Sequence, residues 1–130
     1  MLSLNNLALI AHDEKKAEMV SFVKEHFDLF QQCKLFATGT TGQHVQKLGL
    51  EVERLLSGPL GGDAQIASMV AEKKLQAVIF FRDPLGKHPH EPDVQMLMRL
   101  CDLHQVALAT NPSTARLVVK GLETELEEGK

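Results

Sequence analysis

Apolar and polar positions change period several times along this chain. Leu7-Ala8-Leu9-Ile10-Ala11 is a continuous apolar run within Leu4 to Ala11, the pattern of a strand covered on both faces. His12-Asp13 ends the run. Ala17, Val20, Val23 and Phe27 then recur at helical spacing, with Asp13 a suitable N-cap. Leu35-Phe36-Ala37 predicts a short second strand and Thr38-Gly39-Thr40-Thr41-Gly42 a turn. Val45 and Leu48 predict a helix of about two turns ending near Gly49. Val52 to Leu56 gives a third, weaker strand, followed by a loop from Ser57 to Asp63 and a helix to about Gln76. Ala77-Val78-Ile79-Phe80-Phe81 is the strongest strand signal. Arg82 to Pro92 is an irregular polar stretch holding three prolines and two histidines. A helix from about Asp93 carries Val94, Leu97, Met98 and Cys101 on one face, and Val106 to Ala109 is a fifth strand. Asn111-Pro112-Ser113 opens a last helix, and the acidic tail from Glu123 is expected to fray or lie at an edge.

Strands thus alternate with helices, without linker or repeat. The pattern predicts one α/β domain over residues 1–130: a three-layer α/β/α sandwich around a five-stranded parallel sheet, Rossmann-like, with right-handed crossovers. Such sheets bind ligands at the carboxyl ends of their strands. His12-Asp13, Thr38 to Gly42, Ser57 to Asp63, Asp83 to His90 and Thr110-Asn111 all fall at such ends, so distant loops converge on one edge.

Composition narrows the partners. A net charge of −3, with no Trp or Tyr to stack on bases, argues against nucleic acid. Cys33 and Cys101 each sit in an apolar run and are expected to be reduced thiols. No basic n-region precedes the first apolar run and no run reaches the length of a membrane span, so a cytoplasmic protein is expected.

Ser57-Gly58-Pro59-Leu60-Gly61-Gly62-Asp63 lets backbone amides approach an anion at a helix start, yet ends on a carboxylate. Asp63 is therefore either the cap of a helix beginning at Ala64 or a general base. Thr38, Gly39, Thr40, Thr41 and Gly42 can wrap a phosphate with neutral donors or form a capped turn; neither the Walker spacing nor G-x-G-x-x-G is present. His12 and Lys16, four apart, share one helix face, and Lys16 can add a point charge for phosphate or be an ordinary surface lysine. His12 is either a buried structural imidazole or a catalytic one. His88, His90, Asp83 and Asp93 form a second cluster, whose metal reading is weakened by the proline between the imidazoles and the lack of a helical His pair. His88 is expected to be solvated, and His90 and Asp93 to be ordered by Pro89 and Pro92.

These stretches together resemble methylglyoxal synthase. The matching segments are Ala11-His12-Asp13, Ala37 to Gly42, Leu56 to Asp63, Phe80 to Leu85, Pro89 to Val94 and Ala109-Thr110-Asn111, in order, from about Leu7 to Ala115. The resemblance implies conversion of dihydroxyacetone phosphate to methylglyoxal and inorganic phosphate, without metal or organic cofactor. It implies Asp63 as base, His90 as the group polarising the substrate, and Asp93 as a contributor to turnover. His12, Lys16, Thr38, Gly39, Thr40, Thr41, Ser57, Gly58 and His90 are implied as substrate contacts, with Asp13 and Asp83 in support. A homohexamer inhibited by phosphate is also implied.

Arg82 stands where the family often has an apolar or aromatic residue, and is expected to act on Asp83. Glu91 stands where aspartate is common. The Thr41–Ser57 segment is slightly short, and the acidic tail lacks the arginine some members carry, which weakens the expectation of phosphate inhibition. Two other functions compete. A non-catalytic effector-binding module of the same fold needs the phosphate loops but not Asp63 with His90. A metal-dependent hydrolase would use His88, His90, Asp83 and Asp93.

Overall fold

Five parallel strands in the order β3-β2-β1-β4-β5 carry the molecule, as seen in a computed structural model that describes residues 5–88 and 90–128. Pro89, expected to order His90, lies outside the described residues, as does Leu4. The strands are β1 (Asn6–Ala11), β2 (Lys34–Ala37), β3 (Val52–Arg54), β4 (Ala77–Phe81) and β5 (Ala107–Ala109). The helices are α1 (Lys16–Glu25), α2 (Phe27–Gln31), α3 (Gly39–Gln46), α4 (Gly62–Ala71), α5 (Glu91–His104) and α6 (Pro112–Glu128).

Side chains of a strand alternate between faces, and here both faces are covered. Leu7, Leu9, Ala11, Ile79 and Phe81 pack against α1, α2, α3 and α6 through Met19, Phe22, Phe30, Val45 and Val119. Ala8, Ile10, Val78 and Phe80 pack against α4 and α5 through Ile66, Val70, Val94 and Leu97. Cys33 belongs to the first cluster and Cys101 to the second, so the sheet separates the two thiols. From β1 the chain moves outward to β2 and β3, then returns across the other face to β4. The β1–β4 boundary, paired from Leu7↔Ala77 to Ala11↔Phe81, is the switch point where such sheets open a crevice.

Several boundaries differ from the sequence expectation. The first helix opens with a 3₁₀ turn at Asp13–Lys15 and breaks at His26, so Phe27 belongs to α2; the break lets Leu29 and Phe30 enter the core. Thr38 to Gly42 is not a turn, because α3 starts at Gly39. α4 stops at Ala71, not near Gln76: Lys73 turns left-handed (φ 59°), delivering Leu75 to the core before β4. α5 starts at Glu91, with Pro92 in its first turn where the missing N–H has no intrahelical role. α6 runs helical to Glu128 instead of fraying from Glu123, because Leu122 and Leu126, one turn apart, stay against the core.

Candidate active site

A cavity of about 230 Å³ opens at the carboxyl edge of the sheet. His12, Asp13, Lys16, Thr38, Thr40, Thr41, Ser57, Gly58, Asp63 and His90 line it, together with His88. Gly39, Asp83 and Asp93 do not line it.

The end of β1 is pinned from two sides. The Ala11 amide donates to Thr41 Oγ1 (3.2 Å), and Lys16 Nζ donates to the Ala11 carbonyl (3.0 Å). Lys16 Nζ also donates to Asp13 Oδ1 (2.8 Å), which holds the Asp13 carboxyl below its ordinary range. Asp13 makes no cap hydrogen bond and its side chain is exposed, so the N-cap expected there does not form. The chain is steered instead by the lysine bridge.

Thr38 occupies the N-cap position of α3 without a side-chain cap bond. Amides in the first turn of a helix lack intrahelical acceptors, and Thr40 and Thr41 in that turn of α3 line the cavity. The Gly39 amide is already taken by the Leu56 carbonyl (3.2 Å). Gly39 acts by absence: a Cβ there would lie 3.1 Å from the Ser57 backbone and would push the two loops apart by a few tenths of an ångström. Opposite, the Ser57 carbonyl accepts from the amides of Leu60 (3.0 Å) and Gly62 (2.9 Å), and Gly61 turns left-handed at φ 109° to start α4.

Asp63 is the second residue of α4, not the residue preceding a helix at Ala64, and caps nothing. It is fully buried, and neither carboxylate oxygen has a hydrogen-bond partner among the described residues. Its nearest polar neighbour is His90, with Nε2 3.5 Å from Oδ2, too long to satisfy the charge. Burial pushes the Asp63 carboxyl up; His90 partly offsets this, while Asp93 and Glu91 add to it. Gly58 covers the pair, since a Cβ there would sit 3.1 Å from His90 Nε2 and 3.5 Å from Asp63 Oδ1.

His12 is buried on the other side of the cavity. The Asp83 amide donates to its Nδ1 (2.8 Å), so in the neutral ring Nε2 carries the proton, and Nε2 has no partner among the described residues. Burial, reinforced by His88 and His90, lowers its pKa from 6.5 to about 4. His12 is therefore an uncharged N–H donor at neutral pH. Asp83 serves through its backbone; its carboxylate accepts from the Leu85 amide (3.1 Å).

His88, expected to be solvated, instead stacks on His12 (centroids 3.8 Å apart, planes 24° apart) with its Nε2 buried. Gly86 makes this possible: a Cβ there would strike the Asp83 carboxylate and lie 3.0 Å from His88 Nε2. The glycine between Asp83 and His88 was the available sequence signal for a loop folded back on itself. Arg82, expected to act on Asp83, pairs with Glu91 (3.3 Å), so the two unusual residues of this segment neutralise each other. The set that the competing metal reading would use, His88 and His90 with Asp83 and Asp93, does not assemble; among the described residues the imidazoles of His12, His88 and His90 come together instead.

An MGS-like domain model matches residues 18–110. A methylglyoxal synthase of Thermoanaerobacter sp. (strain X514) is 52% identical over 124 residues, covering 95% of this chain and 94% of the relative. One of Geobacillus sp. (strain WCH70) is 54% identical over 118 residues, covering 90% and 84%. The crystal structure of methylglyoxal synthase from Elizabethkingia anophelis NUHP1 superposes with a TM-score of 0.83 at 42% identity, covering 89% of this chain and 77% of that one.

Proposed function

The chain belongs to the methylglyoxal synthase family, and we propose that it converts dihydroxyacetone phosphate to methylglyoxal and inorganic phosphate. Asp63 takes a proton from the hydroxymethyl carbon of the substrate. The C–H electron pair forms a double bond to the carbonyl carbon, and negative charge moves to the carbonyl oxygen. His90 and the neutral His12 Nε2–H donate to that oxygen, where charge develops. In the enediolate the hydroxyl proton on the former hydroxymethyl carbon passes to the other oxygen, and the oxygen left charged closes to an aldehyde carbonyl. The C=C pair shifts to the phosphate-bearing carbon and the C–O bond to phosphate breaks; the enol so formed tautomerises to methylglyoxal. Lys16, Thr38, the Thr40 and Thr41 amides, Ser57 and Gly58 receive the leaving phosphate. Gly39 contributes by holding the two phosphate-facing loops together. Asp93, with Glu91, strengthens the base from the first turn of α5, and Asp13 steers Lys16.

The observation that carries this reading is Asp63. A fully buried carboxylate with no hydrogen-bond partner costs stability, and its raised affinity for a proton is what a base for a carbon acid needs. An effector-binding module has no use for it. The reading extends to a cytoplasmic homohexamer inhibited by phosphate, which light scattering and a phosphate titration address.

Incubation with dihydroxyacetone phosphate in EDTA tests the reaction. Equal amounts of released phosphate and trapped 2-oxoaldehyde are expected. Phosphate without the oxoaldehyde would indicate a hydrolase, and neither product would indicate the effector-binding module.

A further inference from the structure

His12, His88 and His90 each offer one ring nitrogen, and these atoms all lie within 4.8 Å of one another. Zinc–nitrogen bonds of about 2.0–2.1 Å in a tetrahedral shell place ligand nitrogens about 3.4 Å apart, so the three nitrogens must draw together and the half-buried His88 ring must turn out of its stack on His12 for both lone pairs to meet one ion. Among the described residues His12 Nε2, His88 Nε2 and His90 Nδ1 are buried with no hydrogen-bond partner, and His12 and His90 are almost wholly enclosed. The cavity leaves room for water at a fourth position.

We infer that this trio is a binding site for a divalent transition metal ion of the zinc class, and that the bound ion competes with substrate. The ion serves as an inhibitor, not a cofactor. It occupies the imidazoles that the reading above assigns to the substrate oxygen, so the competition rests on that reading, whereas the binding does not.

The Asp83 amide opposes ligation. It donates to His12 Nδ1, so a metal on Nε2 moves the ring proton to Nδ1 and forfeits that hydrogen bond. One lost hydrogen bond weakens binding by about tenfold. Three gathered imidazoles outweigh this, but the lost hydrogen bond and the unstacking of His88 from His12 make the site weaker and more readily reversible than a permanent zinc site. His88 decides the matter, because it supplies the third nitrogen and stands outside the proposed substrate contacts. Cys33 and Cys101 lie in separate core clusters on opposite faces of the sheet and cannot supply a rival thiolate pair.

Chelator-treated protein is titrated with cobalt(II), with no substrate present, and the visible absorption of the tetrahedral ion is followed. One equivalent is expected to bind reversibly. His88→Gln is expected to weaken it at least about tenfold, while His44→Gln, on α3 outside the cluster, leaves it unchanged. In a second arm, zinc is expected to raise the apparent KM for dihydroxyacetone phosphate and EDTA to reverse this. In His88→Gln, normalised to its own metal-free rate, at least about tenfold more zinc is needed for the same effect. Absence of a cobalt equivalent, or wild-type affinity in His88→Gln, overturns the site. Binding without an effect on KM overturns the competition. If the protein does not turn over the substrate at all, the cobalt titration still reads the site independently.

Discussion

Replacing Asp63 by asparagine separates the two things this residue does. The side chain is fully buried in α4, with both oxygens unpaired and one long contact to His90. Because burial outweighs the histidine, the fold disfavours the ionised form. A carboxyl raised in the folded state contributes most below its ordinary value of 3.8 and loses that contribution as pH rises through the folded value. At neutral pH wild-type protein therefore bears a penalty larger than the roughly 1–3 kcal/mol of an unsatisfied buried neutral group. Asparagine keeps the shape and removes the charge, but leaves amide groups that also want partners. The net gain is about 1 kcal/mol, or a Tm higher by about 3–5 °C for a chain of this length. A helix cap would instead leave Tm nearly unchanged, since asparagine caps a helix about as well as aspartate. Turnover is expected to fall by about 10²- to 10⁴-fold, the worth of a positioned general base. Thermal unfolding at pH 7, paired with kcat from the oxoaldehyde assay, reads both. The stability gain shrinks when unfolding is repeated near pH 4. A lower Tm at pH 7 combined with near-wild-type kcat would refute both the base and the buried-charge reasoning.

His12, lowered from 6.5 to about 4, contributes stability that is intact above 6.5 and lost as pH falls toward 4, on the order of 3 kcal/mol in all. His12→Asn should flatten that limb in urea unfolding at pH 7 and 4.5, and wild-type ¹⁵N spectra should show the Nε2–H tautomer throughout pH 6–8. Gly58→Ala pushes a methyl against His90 and Asp63. Its kcat/KM should fall by about 10²-fold with Tm nearly unchanged, as small misplacements of reacting groups do; unaltered kinetics would mean that the pair is not used. At Gly62, helix propensity favours alanine, yet a Cβ would collide with the Leu56 carbonyl and lie 2.9 Å from Thr38 Cγ2. Gly62→Ala should therefore lose about 1–3 kcal/mol in denaturant unfolding, and a gain would show that the Leu56 turn yields.

Much of the architecture was legible because its causes are local. The run Leu7–Ala11 is apolar at every position and must be covered on both sides; the same holds for Ala77–Phe81. Pro112 after Asn111 starts a helix wherever it stands, and Asn111 Oδ1 accepts from the Thr114 amide (3.0 Å). Convergence of the polar loops followed from the parallel alternation alone. The roles expected of Asp63 and His90 did not follow from spacing: the loop Ser57–Asp63 left cap and base open, and the family resemblance supplied the preference.

What the chain could not show by itself lies in contacts between distant segments. Asp63 is no cap because a left-handed Gly61 starts α4 two residues early, at Gly62, and leaves the carboxylate buried. His12 is neutral because the fold buries it beside His88 and His90, and it is an Nε2–H donor because an amide 71 residues away meets its Nδ1. His88 faces His12 because Gly86 lets the loop fold back, and Arg82 is spent on Glu91. Periodicity and propensity act over a few residues and determine strands, helices and their order. Protonation state, tautomer and the meeting of three imidazoles depend on burial and on neighbours that only the closed sheet brings together.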